Sequence, residues 1–223
     1  MRAALPQSSP KSLPQGIYGI TAEKFSRGRS NIEVVKEMIA GGCGILQYRE
    51  KRPDKTFADM LAECRLIRAL TREAGVIFIV NDYPALAILA DADGVHVGQD
   101  DFSPAEVRKL IGPDKLIGLS THSPEQELAA RVSGADYIGV GPIFATKTKA
   151  DVCDAVGFSY LDYAVKNSPL PFVAIGGIKE SNIGQVLAHG AATVCLVTEI
   201  VGSNDIAATV RRLSGMFSNL ASA

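Results

Sequence analysis

A short apolar run, a polar or acidic break and an amphipathic stretch follow one another eight times along the chain. The period is roughly 25 residues, and a strand, turn and helix unit repeated that often points to a (β/α)8 TIM barrel. The apolar runs fall at residues 16–21, from 44, and at 76–80, 94–97, 116–120, 137–140, 172–175 and 193–197. Between them, helical patterns are expected at 83–89, 103–110, 124–132, 158–165, 181–189 and 205–217. A long amphipathic helix is expected over 54–74, where Phe57, Leu61, Cys64, Ile67 and Leu70 recur at helical spacing. Ser30, with Glu33 three residues on, forms a capping-box pattern ahead of Ile32, Val35 and Ile39. A doubly wound open sheet is the alternative, weakened because no GxGxxG turn follows the first strand.

Composition sets outer bounds. A chain of 223 residues, 47% hydrophobic, suits one α/β barrel as well as two small domains. A formal net charge of -1 gives no bulk field to draw nucleic acid or an anionic membrane surface. No apolar run approaches the ~20 residues that span a bilayer. Residues 1–15, rich in Pro, Ser and Gln, read as a disordered tail and not a signal peptide, leaving 16–223 as one barrel domain. Cys43, Cys64, Cys153 and Cys195 are scattered and read as buried small hydrophobes. A cytoplasmic protein with reduced thiols is expected, and oligomeric state is left open, a homo-oligomer included.

In such a barrel the chemistry gathers at the carboxyl-terminal strand ends. Asp82 and Asp101 close two consecutive strands joined by a helix. Neighbouring parallel strands lie about 4.8 Å apart, so both carboxylates reach one hard cation of the Mg2+ type, which takes oxygen ligands and substrate phosphate oxygens. Helix capping and first-turn charge is the plainer alternative. Arg49, Lys51 and Lys149 bring positive charge suited to clamping a phosphoryl group, unless they are solvated loop charges. Gly176 and Gly177, with the hydroxyls of Thr146, Thr148 and Thr198, offer a second phosphate seat or an ordinary glycine turn. The polar loop 141–151 is too long for a simple connector.

Among the histidines, His96 reads as a hydrogen-bonded barrel residue, His122 as a ligand contact or a bystander, and His189 as a cap of helix carbonyls. No Ser-His-Asp pattern or reactive-looking Cys supports covalent catalysis.

The segments GIYGIT, QYREK, VND, GVHVGQDD, GLSTH, YIGVGPIFATKTK and VAIGGI, in this order, resemble the thiamine-phosphate synthase family over most of residues 16–202. That resemblance implies a Mg2+-dependent transferase. It would join 4-amino-2-methyl-5-(diphosphooxymethyl)pyrimidine to a carboxylated thiazole phosphate, giving thiamine phosphate, pyrophosphate and CO2 by a dissociative route. It places pyrimidine diphosphate contacts at Gln47, Arg49, Lys51, Asn81, Ser120 and Lys149, and metal ligands at Asp82 and Asp101. Arg49, Lys51, Ser120 and Lys149 would carry the catalytic roles. Thiazole phosphate contacts fall on Thr146, Thr148, Gly177, Val197 and Thr198. Three positions depart from the family pattern: Tyr83 after the Asn-Asp pair, Ala145 before the TxTK loop, and Glu199, whose carboxylate would oppose a neighbouring phosphate. Two rivals on the same barrel are a thiazole tautomerase-like isomerase and a non-catalytic sensor of thiamine intermediates. Neither needs the full set of metal carboxylates and diphosphate cations.

Overall fold

The computed structural model describes residues 13–148 and 153–218. It contains β1 (Gly16–Ile20), β2 (Ile45–Tyr48), β3 (Ile77–Asn81), β4 (Gly94–Val97), β5 (Leu116–Thr121), β6 (Tyr137–Val140), β7 (Phe172–Ile175) and β8 (Thr193–Cys195). Each strand pairs in parallel with the next, and β8 returns to β1 with Val194 beside Ile17, closing the barrel. Closure removes the sheet edges that a doubly wound fold would keep.

Alternation along each strand sorts its side chains between two environments. Tyr18, Ile20, Ile45, Ile79, Leu116, Tyr137, Val173 and Cys195 pack together inside the barrel. Leu46, Phe78, Val80, Val95, Ile117, Ile138 and Val194 join the core shared with the helices. Both faces are therefore buried, which is why the strands read as continuous apolar runs. A register slip of one residue would exchange the two sets.

The helices that cover the barrel are α1 (Asn31–Gly41), α2 (Phe57–Ala74), α3 (Pro84–Leu89), α4 (Pro104–Ile111), α5 (Pro124–Ser133), α6 (Gly157–Asn167), α7 (Ile183–Ala188), α8 (Val197–Val201) and α9 (Ile206–Ser218). The Ser30 and Glu33 capping box forms at α1. α2 begins at Phe57 and not at 54, because Thr56 and Asp59 cap it reciprocally. Its buried stripe is Met60, Cys64, Ile67 and Thr71, while Phe57 stays 63% exposed. The last strand is shorter than expected: it ends at Cys195, and Val197–Val201 turns into α8. Beyond the barrel rim no neighbouring strand answers the backbone, so the chain closes its hydrogen bonds locally.

At the opposite end, two aspartates brace the strand starts. Asp93 Oδ2 accepts the Phe78 N–H at 2.8 Å and an Arg68 guanidinium N–H at 2.8 Å, and Asp136 does the same for Ile117 and Arg108. Of the expected tail, residues 1–12 lie outside the described residues. Leu13 packs on the barrel interior, and the Thr193 hydroxyl donates to the Pro14 carbonyl at 2.9 Å. Cys43, Cys64 and Cys195 are buried as expected, but Cys153 is exposed, because it lies in the polar connection between β6 and α6. Among the described residues no helix is long and apolar enough to cross a membrane.

Candidate active site

The carboxyl-terminal strand ends surround one cavity of about 610 Å3. Gln47, Arg49, Lys51, Asn81, Asp82, Asp101, Ser120, Thr146, Thr148, Gly177, Val197 and Thr198 all line it. Lys149 lies outside the described residues. Tyr18, Gln99, Tyr137, Lys147 and Lys179 also line the cavity, and sequence reading did not single them out. The two tyrosines sit inside apolar strands, where a phenol without a solvent route is the available signal.

The end of β2 is held through its backbone by the side chain of Thr21, just past β1. Thr21 accepts the Arg49 N–H at 2.9 Å and donates its hydroxyl to the Arg49 carbonyl at 3.2 Å. Burial pushes the Arg49 guanidinium below its usual pKa range, against the pull of Asp82 and Glu50. Glu50, only 5% exposed, turns inward between the two cations. Its Oε1 accepts the N–H groups of Lys51 and Arg52, each at 2.9 Å, and its Oε2 accepts from Asn31 and Lys55 at 3.0 and 3.1 Å. Burial works to raise the Glu50 carboxyl, but the hydrogen bonds from Arg52, Lys55 and Asn31 outweigh it and hold the group below its ordinary value. Glu23, Glu50 and Glu63 bring carboxylate oxygens within 4.8 Å of one another. The Lys55 ammonium sits among all three, so this cluster is an ion-pair cage whose cation is a side chain.

Asp82, directly after β3, and Asp101, in the loop four residues beyond the end of β4, both line the mouth. The Asp82 backbone has φ 61°, fixed by donation of its N–H to the His96 carbonyl at 2.8 Å. Lys51 contacts Asp82 Oδ2. Asp101 Oδ2 accepts the Gly98 N–H at 2.7 Å, which folds the loop after β4 back toward the cavity. The donor set is oxygen only and faces one cavity, and one of its members already attracts a cationic side chain. Those residues fit a hard divalent ion.

At the next strand end, His96 lies between Tyr137 and Ser120, with Nδ1 3.1 Å from the Tyr137 hydroxyl and Nε2 3.0 Å from Ser120 Oγ. It is the hydrogen-bonded barrel residue the sequence suggested. His122 lines the cavity and binds the Gly141 carbonyl through Nδ1 at 2.6 Å. The His189 side chain does not cap carbonyls: it contacts Asp162 and stacks on Phe158, and the backbone N–H of His189 does the capping.

The glycine turn after β7 docks on the loop after β6. Ile143 N–H donates to the Ile175 carbonyl and Phe144 N–H to the Gly176 carbonyl, both at 2.9 Å. Gly177 has φ 63°, and a Cβ there would lie 2.7 Å from the carbonyl oxygens of Phe144 and Ala145. Only glycine fits so close a backbone approach. Thr146 and Thr148 pair through their hydroxyls at 3.1 Å beside it. Glu199, the departure expected to oppose a phosphate, is not among the cavity-lining residues. Its Oε1 accepts the Glu180 N–H at 3.2 Å, and Glu180 in turn pairs with Arg212. Tyr83 packs edge-on against Phe57, with ring centroids 5.3 Å apart.

The family model described as thiamine monophosphate synthase matches residues 17–200. The chain is 60% identical over 206 residues to a thiamine-phosphate synthase of Pelotomaculum thermopropionicum, covering 92% of this chain and 94% of that protein. It is 52% identical over 202 residues to one of Lawsonia intracellularis, covering 91% and 92%. Among solved structures it resembles thiamine phosphate pyrophosphorylase from Pyrococcus furiosus, with a TM-score of 0.84 and 30% identity over 92% of this chain and 96% of that one. With this barrel, this mouth and these relatives, the chain belongs to the thiamine-phosphate synthase family of transferases.

Proposed function

We propose that this mouth joins 4-amino-2-methyl-5-(diphosphooxymethyl)pyrimidine to a carboxylated thiazole phosphate, yielding thiamine phosphate, pyrophosphate and CO2. The observation that supports the reading is that the cavity lining carries two separate sets of polar groups, which we read as two anion seats. One holds Arg49, Lys51, Asp82 and Asp101 on the β2 to β4 ends, and the other holds Thr146, Thr148, Gly177, Val197 and Thr198 on the β6 to β8 ends.

Gln47, Asn81 and Ser120 orient the pyrimidine diphosphate, and Lys149 joins Arg49 and Lys51 on its phosphates. Arg49 and Lys51 balance the charge that grows on the departing diphosphate. Asp82 and Asp101 would hold Mg2+, and a bound ion there would supply further positive charge to the leaving group. The Gly177 backbone and the threonine hydroxyls seat the thiazole phosphate so that its ring nitrogen faces the carbon losing diphosphate. Bond breaking runs ahead of bond making, so the residues supply charge and alignment and no side chain need become covalently attached. Unpaired, mostly buried thiols accord with a cytoplasmic site of action.

The test is to mix both precursors with Mg2+ and measure thiamine phosphate, omitting each component in turn. Asp82→Ala and Asp101→Ala are each expected to abolish Mg2+-dependent pyrophosphate release. Unchanged turnover in both variants overturns the metal assignment, and turnover of the thiazole phosphate alone makes the protein an isomerase.

A further inference from the structure

A single file of hydrogen bonds crosses the floor of the cavity. It runs from Gln47 Nε2 to the Tyr18 hydroxyl at 3.0 Å, on to the Tyr137 hydroxyl at 2.9 Å, to His96 Nδ1 at 3.1 Å, and from His96 Nε2 to Ser120 Oγ at 3.0 Å. Five strands contribute one member each: β2, β1, β6, β4 and β5. Its two ends are the residues placed on the pyrimidine, and all five members line the cavity.

Proton accounting gives the file a direction. An amide nitrogen has no lone pair to offer, so Gln47 Nε2 donates and the Tyr18 oxygen accepts. Burial raises both phenols, so each keeps one proton to place. Tyr18 places its proton on the Tyr137 oxygen. Tyr137 cannot return one along the same line and places its own on His96 Nδ1. A neutral imidazole whose Nδ1 accepts carries its hydrogen on Nε2, and that hydrogen goes to Ser120 Oγ. The serine hydroxyl is then free to point its proton elsewhere, and the open side is the cavity.

The fold makes room for this file at one position. Gly118 on β5 is in register with His96 on one side and Tyr137 on the other. A Cβ at Gly118 would lie 2.2 Å from Tyr137 Cζ and 2.3 Å from His96 Nδ1. Any side chain there would occupy the line of the Tyr137 to His96 hydrogen bond.

We infer that Tyr18 and Tyr137 are positioning residues: they hold His96 as its Nε2–H tautomer and leave Ser120 a donor and the Gln47 carbonyl an acceptor toward the ligand. One donor and one acceptor are complementary to an aminopyrimidine, whose exocyclic amino group donates and whose ring nitrogens accept. Pyrimidines that carry a carbonyl in place of the amino group would meet acceptor against acceptor. The inference rests on the proposed seating of the pyrimidine at Gln47 and Ser120.

The experiment is 15N NMR of the His96 ring in the ligand-free, full-length protein, with the signal identified by its loss in His96→Gln. The expected spectrum is that of the Nε2–H tautomer. Tyr137→Phe is expected to turn it into a mixture of tautomers and to lower kcat/KM for the pyrimidine diphosphate about tenfold, the scale of one lost neutral hydrogen bond. KM for the thiazole phosphate should not move. Tyr18→Phe, a second and independent break, is expected to act in the same direction should Tyr137→Phe fail to fold. A wild-type Nδ1–H tautomer reverses the file and overturns the inference, as does an unchanged tautomer with unchanged kcat/KM in the folded variants. Failure of the proposed reaction itself would instead appear as wild-type protein that makes no thiamine phosphate while keeping the Nε2–H signal.

Discussion

Lys51 Nζ and Asp82 Oδ2 meet across the cavity mouth, pairing a residue expected to hold diphosphate with a residue expected to hold metal. Under the proposed reading, Lys51 would leave this carboxylate for the diphosphate when substrate and ion bind.

Removing that internal counter-charge should favour the ion over the empty site. Lys51 is 46% exposed in this pair, and exposed pairs contribute about 0.2–1 kcal/mol. Lys51→Ala is therefore expected to tighten Mn2+ binding to the ligand-free protein only about two- to fivefold, which is close to that range converted to a ratio. Steady-state turnover should fall much further, through the lost diphosphate contact. Titration calorimetry with Mn2+ checks the first expectation, and unchanged affinity counts against Asp82 as a ligand.

Glu50 is not among the cavity-lining residues, yet it fixes the loop that carries Arg49 and Lys51. Glu50→Ala removes the acceptor for two backbone N–H groups, whereas Lys55 keeps Glu23 and Glu63. A loss of about 1–3 kcal/mol is expected by urea unfolding, the cost of buried donors left unsatisfied. Glu50→Gln keeps a carbonyl oxygen for the backbone and should recover much of the activity lost in Glu50→Ala.

The same cage sets a pH dependence. Because the folded Glu50 carboxyl lies below its ordinary value, the unfolded chain takes up a proton first as pH falls. Its contribution is complete above about pH 4.3, the unperturbed value, and drains away as pH falls through the folded pKa. Lys55 is raised despite the lowering effect of burial, through its bonds to Glu23, Glu63 and Glu50. Its contribution is complete below about pH 10.4 and is lost as pH rises through the folded value. Thermal melts across pH should show both limbs, with a shallower acid limb in Glu50→Gln.

Gly177→Ala would place a methyl group 2.7 Å from two carbonyl oxygens at a positive φ. The expected result is at least a tenfold rise in KM for the thiazole phosphate, with KM for the pyrimidine diphosphate nearly unchanged, since strain of about 1–3 kcal/mol falls on one seat. Equal effects on both substrates would place the glycine turn outside the phosphate seat.

Glu199 tethers the Glu180 N–H and so holds the loop that follows Gly177. Sequence reading alone would expect Glu199→Ala to leave activity unchanged or to tighten thiazole phosphate binding. The tether reverses the direction: KM for the thiazole phosphate should rise by a small factor, about two- to fivefold for one partly exposed hydrogen bond. A fall in KM would restore the repulsive role.

Strands were legible where apolar residues stop abruptly. Gly94–Val97, Tyr137–Val140 and Phe172–Ile175 begin and end where the sequence pattern does. Boundaries drifted where a polar residue had two readings. Asp54 looked like a helix start, but Thr56 with Asp59 satisfies more of the exposed N–H groups. The run from Thr193 to Val201 contains no Gly or Pro, so nothing local separates β8 from α8. Strand-end residues of the mouth could be placed because the barrel sends every strand end to one side. The Tyr18 to Tyr137 contact joins residues 119 positions apart, and the Lys55 cage joins Glu23 to a helix beyond β2. Neither leaves a periodic trace: the two tyrosines meet across the closed barrel, and the cage forms where the segments after the neighbouring strands β1 and β2 lie side by side.

The Gly177 turn lies against the carbonyl oxygens of Phe144 and Ala145 and the Cβ of Phe144, so at Ala145 it meets the backbone and not the side chain. Substitution at Ala145 should therefore drift with little effect on the proposed thiazole phosphate seat, whereas Phe144, whose ring packs edge-on against Phe158, should not. An insertion or deletion of a single residue in the same loop would carry the whole scaffold of that seat out of reach.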